Sequence, residues 1–78
     1  MQVRLRYFAV LREQRGRDEE WVEVNEGETL GALYARLFPP SPAGVLPIAY
    51  ARTREYTTAA DRPEDGDEIS FLPPIGGG

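Results

Sequence analysis

The 78-residue sequence predicts an α+β fold in two layers, a mixed sheet packed on one main helix. Two patterns carry that expectation. Near both ends of the chain, apolar and polar residues alternate with period two, as in a strand with one buried face. Between them, one stretch carries its apolar residues at the spacing of a helix stripe.

From Gln2 to Ala9 the alternation puts Val3, Leu5 and Tyr7 in one phase and Gln2, Arg4, Arg6 and Phe8 in the other. Val10 to Arg15 fits a short helical turn that Gly16 stops. Alternation returns from Glu20 to Val24, with Val22 and Val24 inward and Glu23 outward, and Asn25 to Glu28 then turns. Thr29 is placed as an N-cap, because its hydroxyl can accept from an orphan helix N–H. Leu30, Leu33, Tyr34 and Leu37 follow at i, i+3, i+4 and i+7, and Pro39-Pro40 ends the helix. Residues 41–47 form a proline-rich loop, and Ile48–Ala51 and Glu55–Thr58 read as short strands around Arg52-Thr53-Arg54. Asp65-Gly66 marks a turn. Asp67 to Leu72 is the last strand, with Ile69 and Phe71 inward and Ser70 and Leu72 outward. The element order ββαβββ is that of the β-grasp fold, with first and last strands parallel and adjacent at the sheet centre. Residues 1–72 make that domain and 73–78 a flexible tail.

Inventory removes most chemistry. Cys and His are absent, and with them go nucleophilic thiols, imidazole bases and the usual zinc, haem and iron–sulfur ligands. No loop has the ligand spacing of a calcium site, and no metal site is expected. No phosphate-binding glycine motif occurs. A net charge of −4 opposes binding to nucleic acid or to a membrane surface. No signal-peptide core precedes the first strand, so the expected location is the cytoplasm. Asp65, Asp67 and Glu68 read as turn chemistry at a solvated hairpin end, and Asp18, Glu19 and Glu20 as a solvated strand start. All nine basic residues are Arg.

The end of the chain, Phe71-Leu72-Pro73-Pro74-Ile75-Gly76-Gly77-Gly78, stands apart. Two prolines hold the exit near polyproline II geometry, at about 3.1 Å per residue. Six residues, Pro73 to Gly78, can project roughly 20 Å. Glycines without a Cβ can thread a channel that excludes other residues. Such a tail delivers the Gly78 carboxylate into another protein. A free α-carboxylate, with a pKa of about 3.3–3.7, is a poor electrophile at neutral pH. Converting it to an acyl-adenylate supplies a leaving group, after which sulfur gives a thiocarboxylate and an amine gives an amide. The chain has no nucleotide site, so a partner must adenylate it.

The sequence resembles the molybdopterin synthase small subunit family, among the ubiquitin-like sulfur carriers. V-R-L-R-Y-F-A-V-L-R-E at residues 3–13 and T-L-G-A-L-Y-A-R-L at 29–37 carry part of the resemblance. The most specific part is D-G-D-E-I-S-F-L-P-P-I-G-G-G at 65–78, against a family ending D-G-D-E-V-x-F-hydrophobic-P-P-V-x-G-G. In the middle, Ala51-Arg52-Thr53-Arg54-Glu55-Tyr56 keeps only the Ala and Glu-Tyr of the family's A-V-N-x-E-Y.

The resemblance implies a sulfur-donor subunit of a sulfurtransferase, with the catalytic side chains on the large subunit. An activating enzyme would adenylate Gly78 with ATP and magnesium, and a persulfide-bearing sulfurtransferase would make the thiocarboxylate. In a heterotetramer with the large synthase subunit, the carrier would then give sulfur to cyclic pyranopterin monophosphate. No cofactor is expected on this chain itself. Phe8 and Leu72, both apolar on the polar phase of neighbouring strands, form the expected docking patch, and Tyr56 joins it by resemblance. Pro73, Pro74, Ile75, Gly76 and Gly77 thread the partner's channel. Two alternatives stay open: a carrier for tRNA thiolation, thiamine or cysteine synthesis, or a ubiquitin-like modifier joined to target lysines through Gly78.

Overall fold

Alternation at the two ends of the chain produces two strands that meet. In the computed structural model, which describes residues 1–39 and 47–74, β1 (Gln2–Tyr7) and β5 (Glu68–Leu72) pair in parallel, with Leu5 beside Ile69 and Tyr7 beside Phe71. β2 (Glu19–Glu23) pairs antiparallel with β1. On the other side, β3 (Ala49–Arg52) pairs antiparallel with β5 and with β4 (Glu55–Thr57). The sheet order is β2-β1-β5-β3-β4, the β-grasp arrangement anticipated from the element order.

The short helix α1 (Ala9–Arg15) and the longer α2 (Leu30–Leu37) lie between strands in the chain. Thr29 caps α2 as expected, its Oγ1 accepting from the Ala32 N–H at 3.1 Å. Two further N–H groups of that turn donate to a loop: Leu30 to the Asp61 carbonyl and Gly31 to that of Ala59, both at 2.9 Å. This approach needs glycine, since a Cβ on Gly31 would stand 2.9 Å from the Ala59 Cβ. Phe38 closes the helix C-terminus immediately before Pro39.

One sheet face is covered and the other is open. Val3, Leu5, Leu11, Leu30, Leu33, Ile69 and Phe71 are fully buried between the sheet and the helices. Burying each such side chain is worth about 1.5–3 kcal/mol. Tyr7, Tyr34, Phe38, Tyr50 and Phe71 form an aromatic cluster at the end of the sheet where β1 and β5 finish. Among the described residues no helix is long and apolar enough to cross a membrane.

Several sequence expectations change. The first strand stops at Tyr7 rather than Ala9, because Ala9 takes φ +51° and swings the chain into α1. The third strand is shifted to Ala49–Arg52. Thr53 and Arg54 turn the hairpin with φ of +49° and +69°, the two positive values of a type I′ turn that usually takes Asn-Gly. Glu20 is no solvated strand start. It shares the inward phase of Val22 and Val24, accepts the Tyr7 hydroxyl at 2.7 Å and the Arg15 Nε–H at 2.9 Å. The Asp67 and Glu68 carboxylates do not sit at a solvated hairpin end either. β4 and β5 are not sheet neighbours, and both carboxylates are ion-paired, Asp67 with Arg52 and Glu68 with Arg4. The expected loop over residues 41–47 and the tail residues Ile75, Gly76, Gly77 and Gly78 lie outside the described residues, apart from Pro47.

These pairs set the pH dependence. Burial alone would raise the Glu20 carboxyl, but the Tyr7 and Arg15 hydrogen bonds hold it below the ordinary range. Hydrogen bonds from Arg36, Thr57 and Arg4 likewise lower Glu28, Asp61 and Glu68. A carboxylate lowered by folding adds stability that is present above its unfolded pKa and lost as pH falls through the folded value. Burial, reinforced by Glu20, raises Tyr7; that contribution is complete below the unfolded value of about 10 and lost above it. With no His to titrate, the melting temperature should stay nearly flat from about pH 5 to 8. It should drop below about pH 4 in a thermal-melt series.

Candidate functional site

The open face is built from the outward phase of each strand. Register places Arg4 beside Trp21 and Glu68, Arg6 beside Glu19 and Ser70, Ser70 beside Ala51, and Ala51 beside Tyr56. Leu72 pairs with Ala49. β1 and β5 run in parallel to the same end of the sheet, so Phe8 and Leu72, one residue past Tyr7 and Phe71, stand side by side. Both are half-buried, as the phase of the alternation requires.

Local geometry holds Phe8 in place. Its backbone is extended (φ −134°, ψ 151°), and the left-handed turn at Ala9 follows at once. The chain thus leaves for α1 without pulling Phe8 off the sheet face. Strain of this kind in a non-glycine residue clusters at functional sites. The Arg6 guanidinium lies 5.4 Å from the centre of the Phe8 ring, a cation–π contact that covers one side of it.

Tyr56, which the sequence placed with the patch by resemblance alone, is 82% exposed. It does not touch Phe8 by register; two strands, β5 and β3, separate them. The small residues Ser70 and Ala51 lie between by register, and a groove opens beside Ala49. Pro47, Ile48, Ala49, Tyr56, Leu72 and the Pro73-Pro74 step line a space of about 390 Å³ with mainly apolar walls. Pro73 and Pro74 therefore belong to the wall of this groove as well as to the exit of the chain. Pro47 and Ile48 were missed from the sequence because nothing local ties them to Leu72; the β3–β5 register does.

A second cleft, about 340 Å³, lies on the other side of Tyr56 and is polar. Arg52 fills much of its chemistry by donating to Asp67 at 2.7 Å, Glu64 at 2.9 Å and Asp61 at 3.3 Å. A guanidinium saturated by three carboxylates is a structural pin for the hairpin and the 61–67 loop. Trp21, 58% exposed on the edge strand β2, is another large apolar residue on the open face. Its phase with the outward Glu23 was legible, but its distance from the tail was not.

Among the described residues no group of three acidic, His or Cys side chains could hold a metal ion. The open face carries an apolar groove beside the Pro73-Pro74 step, with charged pairs next to it. Phe8→Ser with Leu72→Ser should weaken partner binding by at least ~2 kcal/mol, or about 30-fold, in a titration calorimetry comparison. The melting temperature should move by only a few degrees, since neither residue is in the fully buried core. Unfolding of the double variant would contradict this assignment of faces.

Comparison with known proteins extends the description. Residues 5–78 match the ThiS family. The chain is 32% identical to the molybdopterin synthase sulfur carrier subunit of Chlamydomonas reinhardtii, with 100% of both chains covered. SAMP1 from Haloferax volcanii is 25% identical and superposes with a TM-score of 0.77, again over 100% of each chain. A chain in the Helicobacter pylori complex of subunits 1 and 2 of molybdopterin-converting factor is 26% identical, with a TM-score of 0.65 and 100% coverage of both. Sheet order, the parallel central pair and a family match over nearly the whole sequence lead to one conclusion: this chain belongs to the ThiS family.

Proposed function

We propose that this chain is the sulfur-carrier small subunit of a molybdopterin synthase, acting in the cytoplasm through the carboxylate of Gly78. The observation that supports the reading is an apolar groove beside the Pro73-Pro74 step that leads into the terminal glycines. Leu72 and Tyr56 line the groove together with Pro73-Pro74, and Phe8 follows Tyr7, the β1 residue paired with Phe71. An enzyme that takes in the last glycines must set the mouth of its channel against this face. The full-length likeness to a sulfur carrier subunit supports the same reading, as does the likeness to a chain in a complex of subunits 1 and 2.

The proposed cycle starts on an activating partner that uses ATP and magnesium. A carboxylate oxygen of Gly78 attacks the α-phosphorus, pyrophosphate leaves, and an acyl-adenylate forms. The terminal sulfur of a persulfide on a sulfurtransferase then attacks the carbonyl and expels AMP. A thiol cleaves the resulting acyl disulfide and leaves the thiocarboxylate. On the large synthase subunit, that sulfur bonds to cyclic pyranopterin monophosphate, and water then cleaves its C–S bond to Gly78, which returns as carboxylate. The chain supplies the docking face, the thread and the reacting terminus, and the large subunit supplies the catalytic side chains. The test is intact mass after incubation with activating enzyme, ATP and a persulfide source. The chain should gain the mass difference between sulfur and oxygen, localised to the C-terminal peptide; the same gain on an internal peptide, or none, would refute the cycle.

A second reading, conjugation of Gly78 to lysines of other proteins, fits the likeness to SAMP1 only weakly. Both readings share adenylation and differ in the nucleophile that follows.

A further inference from the structure

We propose that the outer edge of β2 is a second docking site, where a partner adds a strand to the sheet. The occupant is an extended segment with a basic residue opposite Glu19 and an apolar residue opposite Trp21. In the order β2-β1-β5-β3-β4 this edge lies on the far side of the sheet from β4 and Tyr56. It is separate from the apolar groove, and the proposal stands apart from the role given to Gly78.

The phase of the pairing decides which backbone groups the edge offers. The Val24 N–H donates to the Met1 carbonyl and the Tyr7 N–H to the Asp18 carbonyl, both at 2.8 Å. Along an antiparallel strand, residues alternate between bonding to that neighbour and pointing away from it. Asp18, Glu20, Val22 and Val24 therefore turn their backbone groups to β1, and Glu19, Trp21 and Glu23 turn theirs outward. The Glu23 carbonyl accepts from the Arg36 guanidinium at 2.8 Å. Among the described residues, the three outward N–H groups and the Glu19 and Trp21 carbonyls have no hydrogen-bond partner. Donors and acceptors repeating every second residue are a template for one more strand.

The side chains beside these groups select the strand. Glu19, Trp21 and Glu23 are all exposed. Arg6 is opposite Glu19 by register, yet its guanidinium covers the Phe8 ring at 5.4 Å and approaches Glu68 at 4.0 Å. Arg4, opposite Trp21, also turns to Glu68. Both arginines thus lean toward β5, and among the described residues Glu19 is left without an ion pair. Glu23 pairs with the Met1 α-amino group. Residues directly opposite across a new strand stand about 4.5–5.5 Å apart at Cβ, where opposite charges attract and like charges repel. A second copy is therefore the wrong occupant: two β2 edges paired about Trp21 would set Glu19 against Glu23. The charges that keep copies apart admit a basic segment, and Trp21 offers a large apolar surface to the residue between.

The probe is a disulfide-cyclised hairpin peptide whose free edge reads Thr-Thr-Val-Thr-Arg, cyclised to cut the cost of ordering it. Run antiparallel, it sets Val opposite Trp21 and Arg opposite Glu19. Trp21 is the only tryptophan in the sequence, so its emission reports on this edge directly. Titrating the peptide into the full chain at low salt should shift that emission and saturate it. N-methylation of the peptide's Val and Arg amides, which would donate to Trp21 and Glu19, should weaken binding at least about 10-fold. Exchanging its Arg for Glu should weaken binding about 5-fold or more. Glu19→Lys should reverse that preference at an almost unchanged melting temperature, and Tyr56→Ala should leave binding as in wild type. No saturable change in emission would overturn the proposal, as would an N-methylated peptide that binds equally well. Loss of binding in Tyr56→Ala would move the site to the groove. Dimers of the chain in sedimentation that the peptide disperses would make a second copy the occupant, and the proposal would fail.

Discussion

Gly77→Val is expected to cut sulfur transfer about 10²-fold while leaving the fold untouched. A β-branched side chain narrows the backbone's freedom and thickens the thread where it must enter a partner's channel. Displacing a reacting atom by about 1 Å is enough for a loss of that size. Phe8, Leu72 and Tyr56 remain in place, so partner affinity should fall far less than rate. The melting temperature should barely move, because Gly77 lies five residues beyond the last strand, which ends at Leu72. Single-turnover adenylation and thiocarboxylation at saturating partner, compared with wild type, measure the loss. Wild-type rates in both steps would mean that the glycines need not be threaded.

Phe71→Ala should produce the largest loss of stability, about 3–5 kcal/mol. Phe71 is fully buried on the central strand and meets Tyr7, Tyr34, Phe38 and Tyr50, with ring centroids 5.3–6.3 Å away. A domain of this length has about 4–12 kcal/mol in total, at roughly 0.05–0.15 kcal/mol per residue. Removing the ring therefore takes away much of what holds the fold. Urea denaturation should show a large fall in midpoint, and a loss below about 1 kcal/mol would show that the aromatic cluster repacks without it.

Strand phase was the legible part of this protein. Val3, Leu5, Tyr7, Ile69 and Phe71 are buried as their alternation requires, and Phe8 and Leu72 fall on the open face for the same reason. Thr29 was legible because an N-cap is a local device. Partners across strands were not. Glu20 shared the inward phase with Val22 and Val24, a signal in plain view, yet its role depends on Tyr7 and Arg15 arriving from β1 and α1. Glu68 pairs with Arg4 across 64 positions of sequence, which only the parallel register supplies. The groove had the same fate. Leu72 and Pro73-Pro74 were singled out, but Pro47 and Ile48 reach them only through β3. Positive φ at Ala9 and Thr53 had no sequence signal, since neither residue favours that region.

The parallel pairing of β1 with β5 also governs the order in which this molecule can come into being. The strand made last occupies the middle of the sheet, between β1 and β3. Loop-closure entropy must be met across nearly the whole chain before that pairing returns any energy. A nascent or prematurely ended chain lacking β5 loses Ile69 and Phe71 from the core and Leu72 from the groove at one stroke. Such a fragment has no formed surface with which to occupy a partner. Closing the core and forming the groove thus await the same strand, and neither can precede the other.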